Sequence, residues 1–441
     1  MSETETKEPS SAEPLASERP LRALTNPLPA GVRDLLPEET AERRALSRRV
    51  LEHFALAGYD LVVPPAFEFA EVLERGLGTL DPGDVLRFIE PETGEVAALR
   101  PDMTPQLARM VATRLSRRPR PVRLCYEGTV LRRKQGRARR SRQIPQAGIE
   151  LYGVPGFAGD LEVLELAWEA LCRAGLSDMV VDLGHARIAS SLLETLPDAL
   201  ALEIAAALEQ KDVALVERLV ASAPDSVTTR VRDALAALPQ LHAGATAAEL
   251  FPRARALFEG TAAAAPLSEL ERMFHAASEF AEVRVDLGEV RGFAYYTGIL
   301  FHVLAEGPGE PLAAGGRYDN LLARFDAPMP AVGSALHLDA VLWARRAAGV
   351  SDPKPTRVLV SAAAGSELVR SLRAEGVSAT RFEGTDESDA PLVYARAWSY
   401  SHLARPEGTG LALVDVDSGR LVAHVLDASA LAQAAKRARG A

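Results

Sequence analysis

The sequence predicts a mixed α/β main domain with a helical insertion, followed by a small α/β tail domain. Three observations predict it. Helical apolar periodicity and short β-branched runs alternate up to about Ser190, and strand signals return at Val283. Between them, over 190–279, alanine and leucine dominate and strand signals vanish. A proline-rich joint, Asp352-Pro353-Lys354-Pro355, then precedes one more strand, helix, hairpin turn and helix. The length of 441 residues suits two or three domains.

Residues 1–26 are rich in Glu, Ser and Pro and hold no apolar core. They read as a disordered tail and not as a secretory signal. The main domain is expected over 27–345. Glu38–Ala57 reads as an amphipathic helix, because Leu46, Val50 and Phe54 recur every four residues and Leu51 widens the stripe. Gly58 ends it. Tyr59–Val63 reads as a strand stopped by Pro64-Pro65. Val122–Val130 and Ala147–Tyr152 read as strands flanking an arginine-rich loop, Leu161–Gly175 as a helix and Met179–Leu183 as a strand. Pro197, Pro224 and Pro239 cut the insertion into short helices. Strands follow at Val283–Leu287 and Gly298–Ala305, a turn at Gly307-Pro308-Gly309, and a helix after Gly315-Gly316-Arg317-Tyr318-Asp319. In the tail domain, 355–441, Val358–Ser361 is a strand and Ser366–Glu375 a helix. Asp417-Ser418-Gly419 makes a hairpin turn, and Asp427 caps a final helix running to about Arg439.

Composition excludes several function classes. No apolar run approaches the roughly 20 residues that span a bilayer. Cys125 and Cys172 are the only cysteines, which makes neither a disulfide framework nor a zinc quartet and suits the cytoplasm. The eight histidines are scattered, so no metal is expected. A net charge of −10 argues against nonspecific nucleic-acid binding. One segment reverses the sign: Arg114–Arg142 holds eleven arginines, Lys134 and a single acid, Glu127.

No nucleophile elbow, Walker loop or dinucleotide fingerprint occurs in a strand–loop–helix setting. The chain instead offers polar residues at strand ends and in loops: Asp102, Thr104, Arg132, Gln146, Glu150, Arg291, Tyr295 and Tyr296. Arginine and carboxylate in one pocket suit a zwitterion, the guanidinium clamping its carboxylate and the acids receiving its ammonium. A further Glu or Gln accepts from an imidazole N–H. Each residue alone has a blander reading. Arg132 fits a solvated basic loop, Arg291 a surface charge, the tyrosines sheet packing, and Gln146 and Glu150 the wet side of an antiparallel strand.

Order and spacing change that judgement. Gly58-Tyr59 with Pro65 and Glu68, Leu99–Thr104, Val130-Leu131-Arg132 through Gln146–Glu150, Arg291–Tyr296, and Gly315–Asp319 together resemble the motifs of the histidyl-tRNA synthetase family. The match runs in order over about 27–345. The resemblance implies a class II synthetase-like antiparallel sheet flanked by helices, a dimer built on the first motif, and a histidine pocket formed by the eight candidate residues. Asp102 and Glu150 would hold the ammonium and imidazole, helped by Gln146 and Tyr295. Arg291 would hold the carboxylate, supported by Arg132. Two positions depart from the ligases. Lys134 stands where a glutamate orients adenine, and Asp339-Ala340 where a glutamate–arginine pair grips ATP phosphate. Ala294 and His337 also differ from the ligase pattern.

A fold that keeps the amino-acid pocket and loses the ATP clamp is similar to the regulatory subunits of ATP phosphoribosyltransferase. Arg123–Tyr126, Gln146–Gly153 and Tyr295–Gly298 carry that likeness. It implies a non-catalytic, cytoplasmic protein of histidine biosynthesis, with no cofactor and with histidine as effector. The expected partner is a short catalytic subunit in a hetero-oligomer, by resemblance a hetero-octamer, and no tRNA. A diverged histidine–tRNA ligase and another histidine-sensing paralogue are the competing readings. Residues 358–434 faintly resemble a shortened anticodon-binding domain, which keeps the ligase reading in play.

Overall fold

The predicted first helix forms as α1, Pro37–Leu56, with Leu46, Val50 and Phe54 fully buried on one stripe. Burying each of these is worth about 1.5–3 kcal/mol relative to exposure. The computed structural model describes residues 28–77, 85–133, 141–243, 247–290, 296–385 and 389–440. The chain divides into two units, Met1–Val350 and Ser351–Ala441.

The strands of the first unit are β1 (Asp60–Leu61), β2 (Phe67–Phe69), β3 (Arg87–Ile89), β4 (Val96–Leu99), β5 (Val122–Leu131), β6 (Gln143–Tyr152), β7 (Met179–His185), β8 (His242–Ala243), β9 (Glu282–Asp286), β10 (Ile299–Ala305), β11 (Ala313–Arg317) and β12 (Ala331–His337). Among the described residues, nine form one sheet in the order β1-β5-β6-β12-β11-β10-β7-β9-β8. Its middle is antiparallel, while β1–β5 and β7–β9 pair in parallel, so the sheet is mixed. The small sheet β2-β4-β3 stands apart from it.

The helices are α1, α2 (Ala70–Leu77), α3 (Thr104–Thr113), α4 (Phe157–Arg173), α5 (Ala186–Leu193), α6 (Asp198–Glu209), α7 (Val213–Ala221), α8 (Thr229–Ala237), α9 (Ala247–Phe258), α10 (Ala264–Ala277) and α11 (Leu338–Ala347). One face of the large sheet packs on α1, α4 and α11 through Ala147, Ile149, Leu151, Val332 and Leu336, a core that runs on into the insertion helices. The opposite face carries Tyr126, Tyr152 and Tyr318, which pack with Met103 and Leu107 of the α3 region. A two-residue period therefore gives β6 an apolar side for the core and a polar side for chemistry.

Several expectations need correction. The strand expected over Tyr59–Val63 is only β1, because it meets a single neighbour and Pro64-Pro65 follows at once. The strand expected at Ala147 begins at Gln143, since Pro145 lies past the last β12 partner, where a missing N–H costs no ladder bond on that side. The helix expected after Asp319 is one 3-10 turn, Leu322–Phe325, closed by Asp326 at φ 58° with Pro328 beyond. Among the described residues the insertion is helical apart from its connecting turns and β8, which adds an edge to β9. The sheet β2-β4-β3 was not expected. Its strands of three and four residues are too short to show a period.

The second unit holds β13 (Arg357–Val360), α12 (Gly365–Ala374), β14 (Ser378–Arg381), α13 (Ala390–Ala397), β15 (His402–Glu407), β16 (Gly410–Asp415), β17 (Leu421–Val425) and α14 (Ala428–Gly440). Its sheet runs β14-β13-β15-β16-β17, parallel over the first three strands and antiparallel after them. Asp427 caps α14 by accepting the Ala430 N–H at 2.8 Å. The turn expected at Asp417–Gly419 joins β16 to β17.

Candidate functional site

Alternation along β6 puts Gln146, Gly148, Glu150 and Tyr152 on the face opposite the main core. Register then decides what surrounds them. Tyr126 of β5 lies opposite Gly148, and Gly333 and Ala335 of β12 lie opposite Glu150 and Gly148. Gly316 and Ala314 of β11 continue those two rows. The result is a floor of small residues on which side chains lie flat. A Cβ at Gly333 would overlap Glu150 Oε2, one at Gly148 would fall 2.5 Å from the Tyr126 hydroxyl, and one at Gly316 2.8 Å from the Tyr296 ring.

Glu150 is fully buried. Its Oε1 accepts from the Thr104 hydroxyl at 2.6 Å, and its other oxygen meets the Tyr318 hydroxyl. Thr104 opens α3, where its N–H donates to Asp102 Oδ1 at 3.2 Å. The segment holding Asp102 is tied down from both sides. Arg132 Nε donates to the Pro101 carbonyl at 3.1 Å, and Arg100 donates to the carbonyls of Thr129 and Pro64. Burial pushes the Glu150 carboxyl well above the usual range; the Thr104 hydrogen bond opposes this and the charge of Asp102 adds to it. Burial, then the charges of Glu150 and Asp102, also push the Tyr126 phenol up.

Burial and the neighbouring Asp102 charge both disfavour a bare Glu150 carboxylate, so a cation beside it would be stabilising. The hydroxyls of Tyr126 and Tyr152 and Oε1 of Gln146 are buried with no hydrogen-bond partner among the described residues. Buried polar atoms are normally paired with protein, ordered water or a ligand.

Of the eight candidate residues, Asp102, Thr104 and Glu150 form one bonded cluster. Gln146 shares the sheet face about 13 Å along the strand. Arg132 is half-buried against Pro101, and Tyr296 is half-buried with its ring over Gly316. Arg291 and Tyr295 lie outside the described residues, as does Lys134. Sequence reasoning missed Tyr126, Tyr318 and Gly333. Extending the two-residue period from Glu150 to its neighbours would have put Tyr126 on the same face. Arg317 and Asp319, from the same motif as Tyr318, are structural: Arg317 bonds Asp160 and Asp319. At the head of α11, Ala340 is a buried methyl among core residues, and Asp339 lies 3.9 Å from Arg33.

The family model for histidyl-tRNA synthetase matches residues 31–341. The ATP phosphoribosyltransferase regulatory subunit of Moorella thermoacetica is 43% identical over 337 residues, 75% of this chain and 84% of that protein. The chain belongs to this regulatory-subunit family, within the histidyl-tRNA synthetase fold. The namesake from Anaeromyxobacter sp. strain K is 44% identical over 71% of this chain and 89% of its own length. A solved structure from Bacillus halodurans C, described as an ATP phosphoribosyltransferase regulatory subunit/histidyl-tRNA synthetase, shares 29% identity. It covers 87% of this chain and 98% of its own, with a TM-score of 0.73. Histidyl-tRNA synthetase from Nostoc sp. PCC 7120 shares the fold with a TM-score of 0.75 at 19% identity, over 93% of this chain and 99% of its own. Family membership accounts for the order of the motifs and for the mixed sheet they sit on.

Proposed function

We propose that this chain is a non-catalytic regulatory subunit that joins a short catalytic ATP phosphoribosyltransferase subunit and passes histidine feedback to it. One observation carries the reading. Asp102, Thr104, Glu150 and Tyr318 form one bonded cluster, and the buried methyl of Ala340 stands where the family resemblance puts the arginine that grips ATP phosphate in the ligases. Adenylate formation depends on such charge clamps. Histidine's ammonium or imidazolium would pair with the Glu150–Asp102 cluster, and Arg291 would take its carboxylate. The insertion supports the absence of a tRNA partner: over 190–279 thirteen acids face seven bases, a balance that repels phosphate backbones.

The test is reconstitution with a short catalytic subunit and an assay of phosphoribosyl transfer. Activity is expected to require this chain, and histidine to inhibit it, with a coupling of about 5–150-fold in affinity. Arg291→Ala is expected to abolish the inhibition and keep the activation. Robust histidine-dependent exchange of pyrophosphate into ATP by the purified chain would instead establish a ligase.

The same reading includes a self-dimer through the first motif. Leu61, Val63, Phe67 and Phe69 expose large apolar surfaces along 58–69, and a second copy would cover them. Val63→Asp with Phe67→Asp is expected to raise the dimer dissociation constant on the order of 30-fold or more. Light scattering that shows the wild type monomeric at micromolar concentration, or the variant still dimeric, would rule this interface out.

A further inference from the structure

The second unit holds a cavity of about 500 Å³ between α12 and β14. Ser366, Arg370 and Arg373 line it from the helix, on one face by their spacing of four and three residues. Arg381 and Phe382 line it from the strand side, and Tyr394 of α13 closes it. Among the described residues β14 pairs only with β13, at the edge of the sheet.

Two of the three guanidinium groups are held in place by backbone. Arg373 Nε donates to the Ala379 carbonyl at 2.9 Å, and Arg381 donates to the Ala362 carbonyl at 3.2 Å. Each keeps further N–H groups beyond the one so used. Among the described lining residues the only acid is Glu383, 4.0 Å from Arg381. Among the described lining residues three guanidinium groups face this one carboxylate. Pre-anchored guanidinium groups also lose less freedom when they bind an oxyanion. The far wall is aromatic: the Tyr394 ring lies 5.4 Å from Phe382 and 6.4 Å from Trp398.

We propose that this cavity binds a nucleoside polyphosphate, its phosphates on Arg370, Arg373 and Arg381 and its base against Tyr394. The volume fits a small molecule. Phosphate oxygens match the guanidinium fork, and a base offers the flat face that an aromatic wall stacks. The site is separate from the histidine-binding reading and does not rest on it.

The experiment is calorimetric titration of the full-length protein with ATP, inorganic tripolyphosphate and a single-stranded RNA oligonucleotide. Wild type is expected to bind ATP saturably. Arg370→Glu should raise its Kd at least about tenfold, the loss expected for a charge-assisted contact. Tyr394→Ala should weaken ATP and leave tripolyphosphate unchanged. Arg370 makes no hydrogen bond among the described residues, and an unaltered melting temperature verifies that its variant folds; Arg370→Gln replaces it if that temperature falls. An ATP Kd unchanged in the Arg370 variant would place the nucleotide elsewhere and overturn the proposal. Absence of saturation at millimolar ATP would leave the arginines the role of guarding an open sheet edge. Oligonucleotide binding tighter than ATP and lost with the same variants would replace the small molecule with RNA.

Discussion

Glu150→Gln is expected to weaken histidine binding by on the order of 30-fold to several thousandfold, while making the ligand-free protein more stable at neutral pH. The first effect is full only at pH above the Glu150 pKa, where the carboxylate is already ionised: neutralising one side of a buried charge pair then costs about 2–5 kcal/mol. The second follows from the direction of the Glu150 shift. Burial raises its carboxyl well above the ordinary value of 4.5. A group whose folded pKa is raised contributes stability that is fully present below the unfolded value and lost as pH rises through the folded one. Glutamine does not titrate, so the variant's advantage should grow with pH through that window. Its shape is retained: its carbonyl still accepts from Thr104, and its amide still meets the Tyr318 hydroxyl. A cation arriving at a protonated Glu150 must displace its proton. Histidine binding to wild type should therefore release a proton and tighten as pH rises through the Glu150 pKa, and the variant should lose that component. Comparing the two proteins at each pH removes the titration of histidine itself. Calorimetry in buffers of different ionisation enthalpy, with thermal melts across the same pH range, reads both effects. Wild-type affinity in the variant would refute the site.

The long elements were legible because their periods are clean. α1 shows its stripe at Leu46, Val50 and Phe54, and all three are fully buried. The cap of α14 was visible as Asp427 before an alanine-rich run. What stayed hidden depends on partners far away in sequence. That Gly333 must lack a side chain follows from Glu150 lying across it, a contact set by the pairing of β12 with β6. Tyr126 looks like a packing residue until its hydroxyl is found buried without a hydrogen-bond partner among the described residues. Thr104 stood among the candidates as a loop residue, but it begins α3, and its Oγ1 bonds Glu150. Arg317 and Tyr318 are neighbours in one motif, yet alternation sends one to the helix side of the sheet and the other to Glu150. Motif order alone could not separate those roles.

That separation leads to the second large effect: Arg317→Ala is expected to destabilise the first unit by about 3–5 kcal/mol, the usual result of removing one partner from a buried ion pair. Arg317 and Asp160 have side chains only 6% and 7% exposed. The guanidinium donates to Asp160 Oδ1 at 2.7 Å, to Asp319 Oδ1 at 2.9 Å, and to the carbonyls of Val154 and Gly156 at 3.2 and 2.9 Å. It thereby fastens the start of α4 to the end of β11. Alanine would leave four acceptors without this donor and a carboxylate buried without its cation. Burial already pushes the Asp160 carboxyl up, against the pull of Arg317; without that pull the rise is larger. The sign follows as for Glu150. An acid raised in the folded state loses its contribution as pH climbs, so the deficit should widen with rising pH and narrow toward the unfolded Asp160 value of 3.8, where a proton replaces the missing cation. Urea unfolding at several pH values measures this. In a Trp398→Phe background, fluorescence comes from Trp168 and Trp343, both in the first unit. Because Arg317 precedes Tyr318, a local shift of β11 should also weaken histidine binding, by less than Glu150→Gln does. A stability change below about 1 kcal/mol, within the range of ordinary substitutions, would mean that the pair is not the fastening inferred here.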